Sequence, residues 1–178
     1  MAATEDRYQR VLVKTWNGQS FRSVSDHARL LFLYLLTCPA TSQLPGLVCL
    51  TVGTMADAMR WPVDAVRIVL AELDAEGMAA FDQAGLVWLP AALDYNPPAS
   101  SANVKGWSRP WREAPTCPLK VIAYQALRRW CEAHPNPTIL AAFDATCAAP
   151  VLKKPASSRK RGGTLGGTLG GSPGGSPW

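Results

Sequence analysis

The tripeptide Arg60-Trp61-Pro62 constrains the fold more than any other part of this chain. A proline pushes the residue before it out of the helical region, so a helix through Met55, Ala58 and Met59 has to stop at Trp61. Pro62 is then well placed in the first turn of a further helix, with Val66, Val69, Leu70 and Leu73 on its buried side and Gly77 positioned to close it. Two short helices joined by so tight a break form a helix-turn-helix pattern. Directly after it, Met78 to Phe81 and Leu86 to Leu89 are apolar runs flanking Asp82-Gln83-Ala84-Gly85, which predicts a β-hairpin.

The segments upstream complete the pattern. Ala28, Leu31, Phe32 and Leu35 form a helical stripe, widened by Leu30, Leu33, Tyr34 and Leu36 until nearly the whole helix is apolar. Ser23 and Ser25 both suit its N-cap, and Pro39 ends it. Leu47 to Val52 reads as a strand or extended lead-in, and Thr51 or Thr54 as the cap of the helix that follows. Tyr8 to Trp16, with Val11 and Val13 between Arg10 and Lys14, reads as a short strand. Strand, helix, strand, helix, helix, hairpin is the winged-helix order. The expected fold class is therefore mainly α with a small β component. A winged helix-turn-helix domain over residues 1–96 is followed by a basic Pro/Trp-rich connector over 97–117, with at most a short helix from Val104 to Trp111. A short helical region over 118–149 and a basic Gly/Ser/Pro-rich tail over 150–178 follow, with no fold expected in the tail. In the helical region Pro118 opens a helix to Ala133, and Thr138 to Cys147 can form another. The expected core contains Leu31, Phe32, Leu35, Val66, Leu70, Leu73 and Trp88.

Charge separates the two halves. Residues 1–96 hold 7 Lys/Arg against 10 Asp/Glu, and residues 97–178 hold 11 against 3. A mildly acidic globular part joined to a strongly basic one suggests an arm that meets an anionic polymer; a solvated tail is the alternative. The 5 cysteines are widely spaced without any C-x-x-C pair, which fits a reducing compartment rather than a disulfide framework. Cys117, Cys131, His134 and Cys147 match no standard zinc spacing, so no metal or other cofactor is expected. No signal peptide opens the chain and no apolar run is long enough for a bilayer, so the expected setting is cytoplasmic, without membrane association. His27 and His134 lie far apart, no nucleophile motif accompanies them, and the tail glycines lack a phosphate-loop context, so an enzyme is not expected.

A helix that enters a major groove needs cations for phosphates and side chains that match base edges. Thr54, Arg60, Trp61, Asp64, Arg67 and Ile68 are the candidates in the helix-turn-helix. Arg67 can meet guanine or phosphate, and Ile68 or Ala71 can meet a thymine methyl. Asp64, Glu72, Asp74 and Glu76 on the same helix, and Asp82 in the hairpin loop, work against non-specific attraction. In the connector, Lys105, Arg109 and Arg112 interleave with Trp107 and Trp111. That pattern suits backbone contact with base stacking; the alternative is that both tryptophans cover the domain core as the connector wraps back. Lys153, Lys154, Arg159, Lys160 and Arg161 form a second basic cluster. Double-stranded DNA is the expected partner, with single-stranded DNA as a second.

In their order along the chain, several motifs resemble phage replisome-organiser or replication-initiation proteins. They are Arg7-Tyr8, Val13-Lys14-Thr15-Trp16, Phe21-Arg22-Ser23-Val24-Ser25 and Leu31-Phe32-Leu33-Tyr34-Leu35-Leu36-Thr37. Arg60-Trp61-Pro62, Ala71-Glu72-Leu73 with Gly77, and Val87-Trp88-Leu89 follow. Leu93-Asp94-Tyr95-Asn96-Pro97-Pro98 and Asn103-Val104-Lys105-Gly106-Trp107 complete the series, which covers roughly residues 7 to 130. The resemblance implies a winged helix that binds phage or prophage origin DNA, and a remainder that contacts a helicase or helicase loader in a bacterial host. A transcriptional regulator of the same fold and a protein-interaction adaptor that never touches DNA are the competing expectations. The helix from Pro118 to Ala133 is the one obvious dimerisation element for a regulator.

Overall fold

Three short strands set the architecture. In the computed structural model, which describes residues 9–152, β1 (Leu47–Cys49) and β2 (Ala80–Asp82) both pair antiparallel with the central β3 (Leu86–Trp88). Leu47 and Ala80 lie opposite Trp88, and Val48 and Phe81 lie opposite Val87. Because side chains alternate across a strand, each face of this sheet carries its own apolar set. Val48, Val87 and Phe81 belong to one core, whereas Leu47, Trp88, Leu86 and Ala80 belong to another.

The first core is built by helices from the N-terminal half. α1 (Gln19–Ser23) and α2 (Asp26–Thr37) are followed, after β1, by α3 (Val52–Met59) and α4 (Val63–Ala75). Ser25 is the N-cap of α2 and accepts the Ala28 N–H at 3.2 Å; Thr51 caps α3 and accepts the Thr54 N–H at 3.1 Å. Leu31, Phe32 and Leu35 of α2 and Val66, Leu70 and Leu73 of α4 are buried together here, each such side chain contributing about 1.5–3 kcal/mol relative to exposure. Gly77 (φ +65°) closes α4 in the left-handed region as expected. Trp88 is buried too, but in the second core rather than the first.

That second core covers the opposite face of the sheet. α5 (Ala92–Tyr95), α6 (Ser101–Lys105), α7 (Ser108–Glu113), α8 (Pro118–Ala133) and α9 (Pro137–Thr146) enclose Trp88, Trp107, Trp111, Leu127, Ile139 and Phe143. The molecule is thus mainly helical with a small three-stranded antiparallel sheet between two apolar layers.

Two local expectations differ from what is observed. The part of the Tyr8–Trp16 segment that is described pairs with no strand: Val13–Asn17 forms a 3-10 turn with Val13 and Trp16 exposed. Alternating valines suit a strand, but without a neighbouring strand their backbone groups gain nothing from extension. The Pro/Trp-rich stretch 97–117 carries two short helices, α6 and α7, instead of at most one. Ser100 caps α6, and Trp107 and Trp111 anchor both turns in the second core.

Candidate nucleic-acid interface

α3 and α4 meet at Arg60-Trp61-Pro62, and each of these residues has a distinct part in the turn. Arg60 closes α3 in the left-handed region (φ 57°, ψ 39°), its N–H donating to carbonyls of the last turn of α3. Among the described residues it alone has a positive φ without being glycine. Its side chain is exposed. Trp61 is half-buried and packs edge-on against the His27 ring, with centroids 5.0 Å apart, so it ties the turn to α2. Pro62 is the N-cap of α4.

Along α4, Asp64, Arg67, Ile68, Ala71 and Asp74 are exposed while Val66, Val69, Leu70 and Leu73 face the core. Arg67 borders a groove whose other walls are the start of α3 (Thr51, Val52, Gly53) and the hairpin (Phe81, Gln83, Gly85). A second hollow continues along α4 between Ala71, Asp74 and the hairpin residues Phe81 and Gln83. Thr54 is exposed one turn into α3, its hydroxyl 2.9 Å from that of Thr51. The Arg67 guanidinium, Thr51 and the partly positive start of α3 therefore border one groove, a combination suited to phosphate oxygens. Among the described residues neither Arg60 nor Arg67 is held in an ion pair, so both are available to an outside anion. Asp64, at the opposite end of the exposed stripe, can accept a hydrogen bond from the amino group of cytosine.

The acidic side chains of this region are less adverse than their number suggests. Glu72 accepts the Ser25 N–H at 2.5 Å and the Ser25 hydroxyl at 2.8 Å, and Glu76 accepts the Ser23 hydroxyl at 2.9 Å. Glu72 turns toward the start of α2 and Glu76 toward the end of α1. These hydrogen bonds from Ser25, backbone first, hold the Glu72 carboxyl below its ordinary range. Asp82 accepts the Ala84 N–H at 2.7 Å within the hairpin loop and is half-buried. Asp64 and Asp74 are the carboxylates left on the exposed side of α4.

The connector cations lie elsewhere. Lys105 ends α6, and Arg109 and Arg112 project from α7, in the layer that covers the other face of the sheet. Arg109 is paired with Glu113 at 2.8 Å. Trp107 and Trp111, the interleaved aromatics, are buried, and Trp111 donates its indole N–H to the Ala148 carbonyl at 3.0 Å. They cover a core and offer no face for base stacking. Lys153, Lys154, Arg159, Lys160 and Arg161 lie outside the described residues.

Gln83 and Phe81 had no place among the sequence candidates, because only assembly of the hairpin beside α4 makes them groove walls. Lys120 was also passed over. It is buried, its Nζ donates to the Trp111 and Ala114 carbonyls at 2.7 Å each, and it sits over the Trp111 ring at 4.9 Å. Desolvation lowers its pKa. Its partners are the carbonyls that end α7, which makes it a tether of the second layer rather than a surface cation.

Among the described residues no group of three or more His, Cys, Asp or Glu is placed to hold a metal ion, and no helix is long and apolar enough to cross a membrane. No protein-family model, curated protein or solved structure matches the chain.

Proposed function

We propose that this chain is a winged helix-turn-helix DNA-binding protein of phage or prophage origin. It marks a replication origin and brings helicase machinery to it. The observation that carries this reading is the groove shared by Arg67, the start of α3 and the β2–β3 hairpin. α4 is the recognition helix, the hairpin is the wing, and Arg67 stands where both reach the same phosphate or base edge. The order of motifs that resembles replication-initiation proteins supports origin binding as the role. A regulator of two-fold operators would dimerise. Most of the apolar stripe of α8 is taken up within this chain: Leu119, Ala123, Leu127 and Cys131 are buried, and Ile122 is its exposed large apolar side chain.

Footprinting on the DNA that encodes the chain and its flanks tests the proposal. Iterated protected sites inside or beside the gene are the expected result, and protection confined to a promoter would favour the regulator. Absence of any protection at low salt would overturn DNA binding altogether. On a protected site, Arg67→Ala should weaken binding by about 1–3 kcal/mol at unchanged thermal stability.

A further inference from the structure

Ile68 is 71% exposed, more than any other large apolar side chain in an α-helix of the described residues. It lies in the middle of α4, one helical turn from Asp64 on one side and from Ala71 on the other. All three are exposed. Among the described residues its side chain belongs to neither apolar core, and isoleucine forms a helix less well than alanine, leucine or arginine would there. Arg67 beside it points to the hairpin groove, so Ile68 occupies the adjoining, outward face of the same helix. When a helix enters a major groove, that face meets base edges, and the apolar group presented there is the 5-methyl of thymine. Ala71 one turn on keeps the surface low enough for close approach.

We propose that Ile68 is a specificity-determining residue that recognises a thymine 5-methyl group in the target duplex. This inference rests on the proposed DNA-binding role of α4, and the two fail in different ways. Arg67 provides attraction on any sequence, whereas Ile68 provides preference, since burying one methyl against its side chain is worth roughly a three- to fivefold change in affinity.

The test starts with full-length protein and a pool of 30-base-pair duplexes with random cores, enriched through rounds of binding. The recovered duplexes are then resynthesised with deoxyuridine in place of thymidine, position by position. Wild type is expected to lose about three- to fivefold in affinity at one or two thymine positions. Ile68→Ala should bind thymine and uracil duplexes equally, Ile68→Val should keep most of the discrimination, and neither should lower the thermal midpoint. Arg67→Ala should weaken binding to both duplexes while leaving their ratio unchanged. Enriched sites without thymine, a wild type indifferent to uracil, or Ile68→Ala that discriminates like wild type would each overturn the role of Ile68 and leave DNA binding standing. A pool that fails to enrich at low salt would overturn both.

Discussion

Arg60 occupies a backbone conformation that favours glycine, where a side chain costs about 1–2 kcal/mol. Its Cα sits in the turn between α3 and α4, and its exposed guanidinium has no ion pair among the described residues. Strain of that kind clusters at functional sites, which makes Arg60 a candidate for a role outside folding. Arg60→Gly is therefore expected to raise stability by up to about 1 kcal/mol in urea melts. The same change should lower duplex affinity and flatten its salt dependence by about one unit. A variant that is both more stable and equally tight would remove Arg60 from the interface. Single residues were unevenly legible in the sequence. Gly77 and Pro62 could be assigned because their backbone preferences are local. The left-handed Arg60 could not, since arginine carries no local preference for that region. The burial of Lys120 depends on carbonyls at Trp111 and Ala114 that reach it only after α7 and α8 have packed.

At the scale of elements, α4 holds α2 as well as facing outward. Glu72 serves the N–H and hydroxyl of Ser25, the residue that caps α2, so α4 braces the start of the helix at the centre of the first core. The carboxyl of Glu72 is depressed below its ordinary value of 4.5 in the folded chain. Folding then favours the ionised form, and its contribution is present above that ordinary value and lost as pH falls through the lower folded value. Glu72→Gln is expected to be less stable than wild type at neutral pH. The gap should close progressively below about pH 4.5 in thermal melts taken across the acid range. A gap independent of pH would show that the charge of Glu72 is idle. The helices α2, α4 and α8 could be read from sequence because a long apolar stripe with a cap or an opening proline is a local signal. The segment from Ser101 to Glu113 could not, because its two short helices form around Trp107 and Trp111, whose partners Phe143 and Tyr124 lie far along the chain. The 3-10 turn at Val13–Asn17 was hidden for the complementary reason: alternation reports two faces but not whether a partner strand exists.

The whole molecule is organised by a sheet with no solvent face at its centre. Leu47, Leu86 and Trp88 on one side are covered by α6–α9, so a fragment ending at residue 96 would expose Leu44, Leu47, Leu86, Trp88 and Leu93 together. A patch of that kind promotes association. The 1–96 fragment is expected to aggregate or to melt without cooperativity, whereas 1–152 should unfold in one sharp transition. A soluble, cooperatively folded 1–96 would show that the second layer is dispensable. Removing residues 153–178 deletes Lys153, Lys154, Arg159, Lys160 and Arg161 and no acidic group. If these cations meet phosphates, the slope of log affinity against log salt should flatten by up to about 4–5 units on duplex DNA, with sequence preference retained. Indistinguishable slopes would assign the attraction to the folded part alone.

Strand β3 has a neighbour on each edge and an apolar layer on each face. Its peptide groups are shielded on both edges and both faces, so its amides are expected to be among the last to exchange. In deuterated solvent, Val87 should keep its proton longest, after the exposed hairpin tip at Gln83 and Ala84 has exchanged. The β2–β3 hairpin is thus rooted in the strand expected to exchange last. Under the proposed function, the exposed tip at Gln83 and Ala84 can adjust to a duplex while the strand that joins the two layers stays in place.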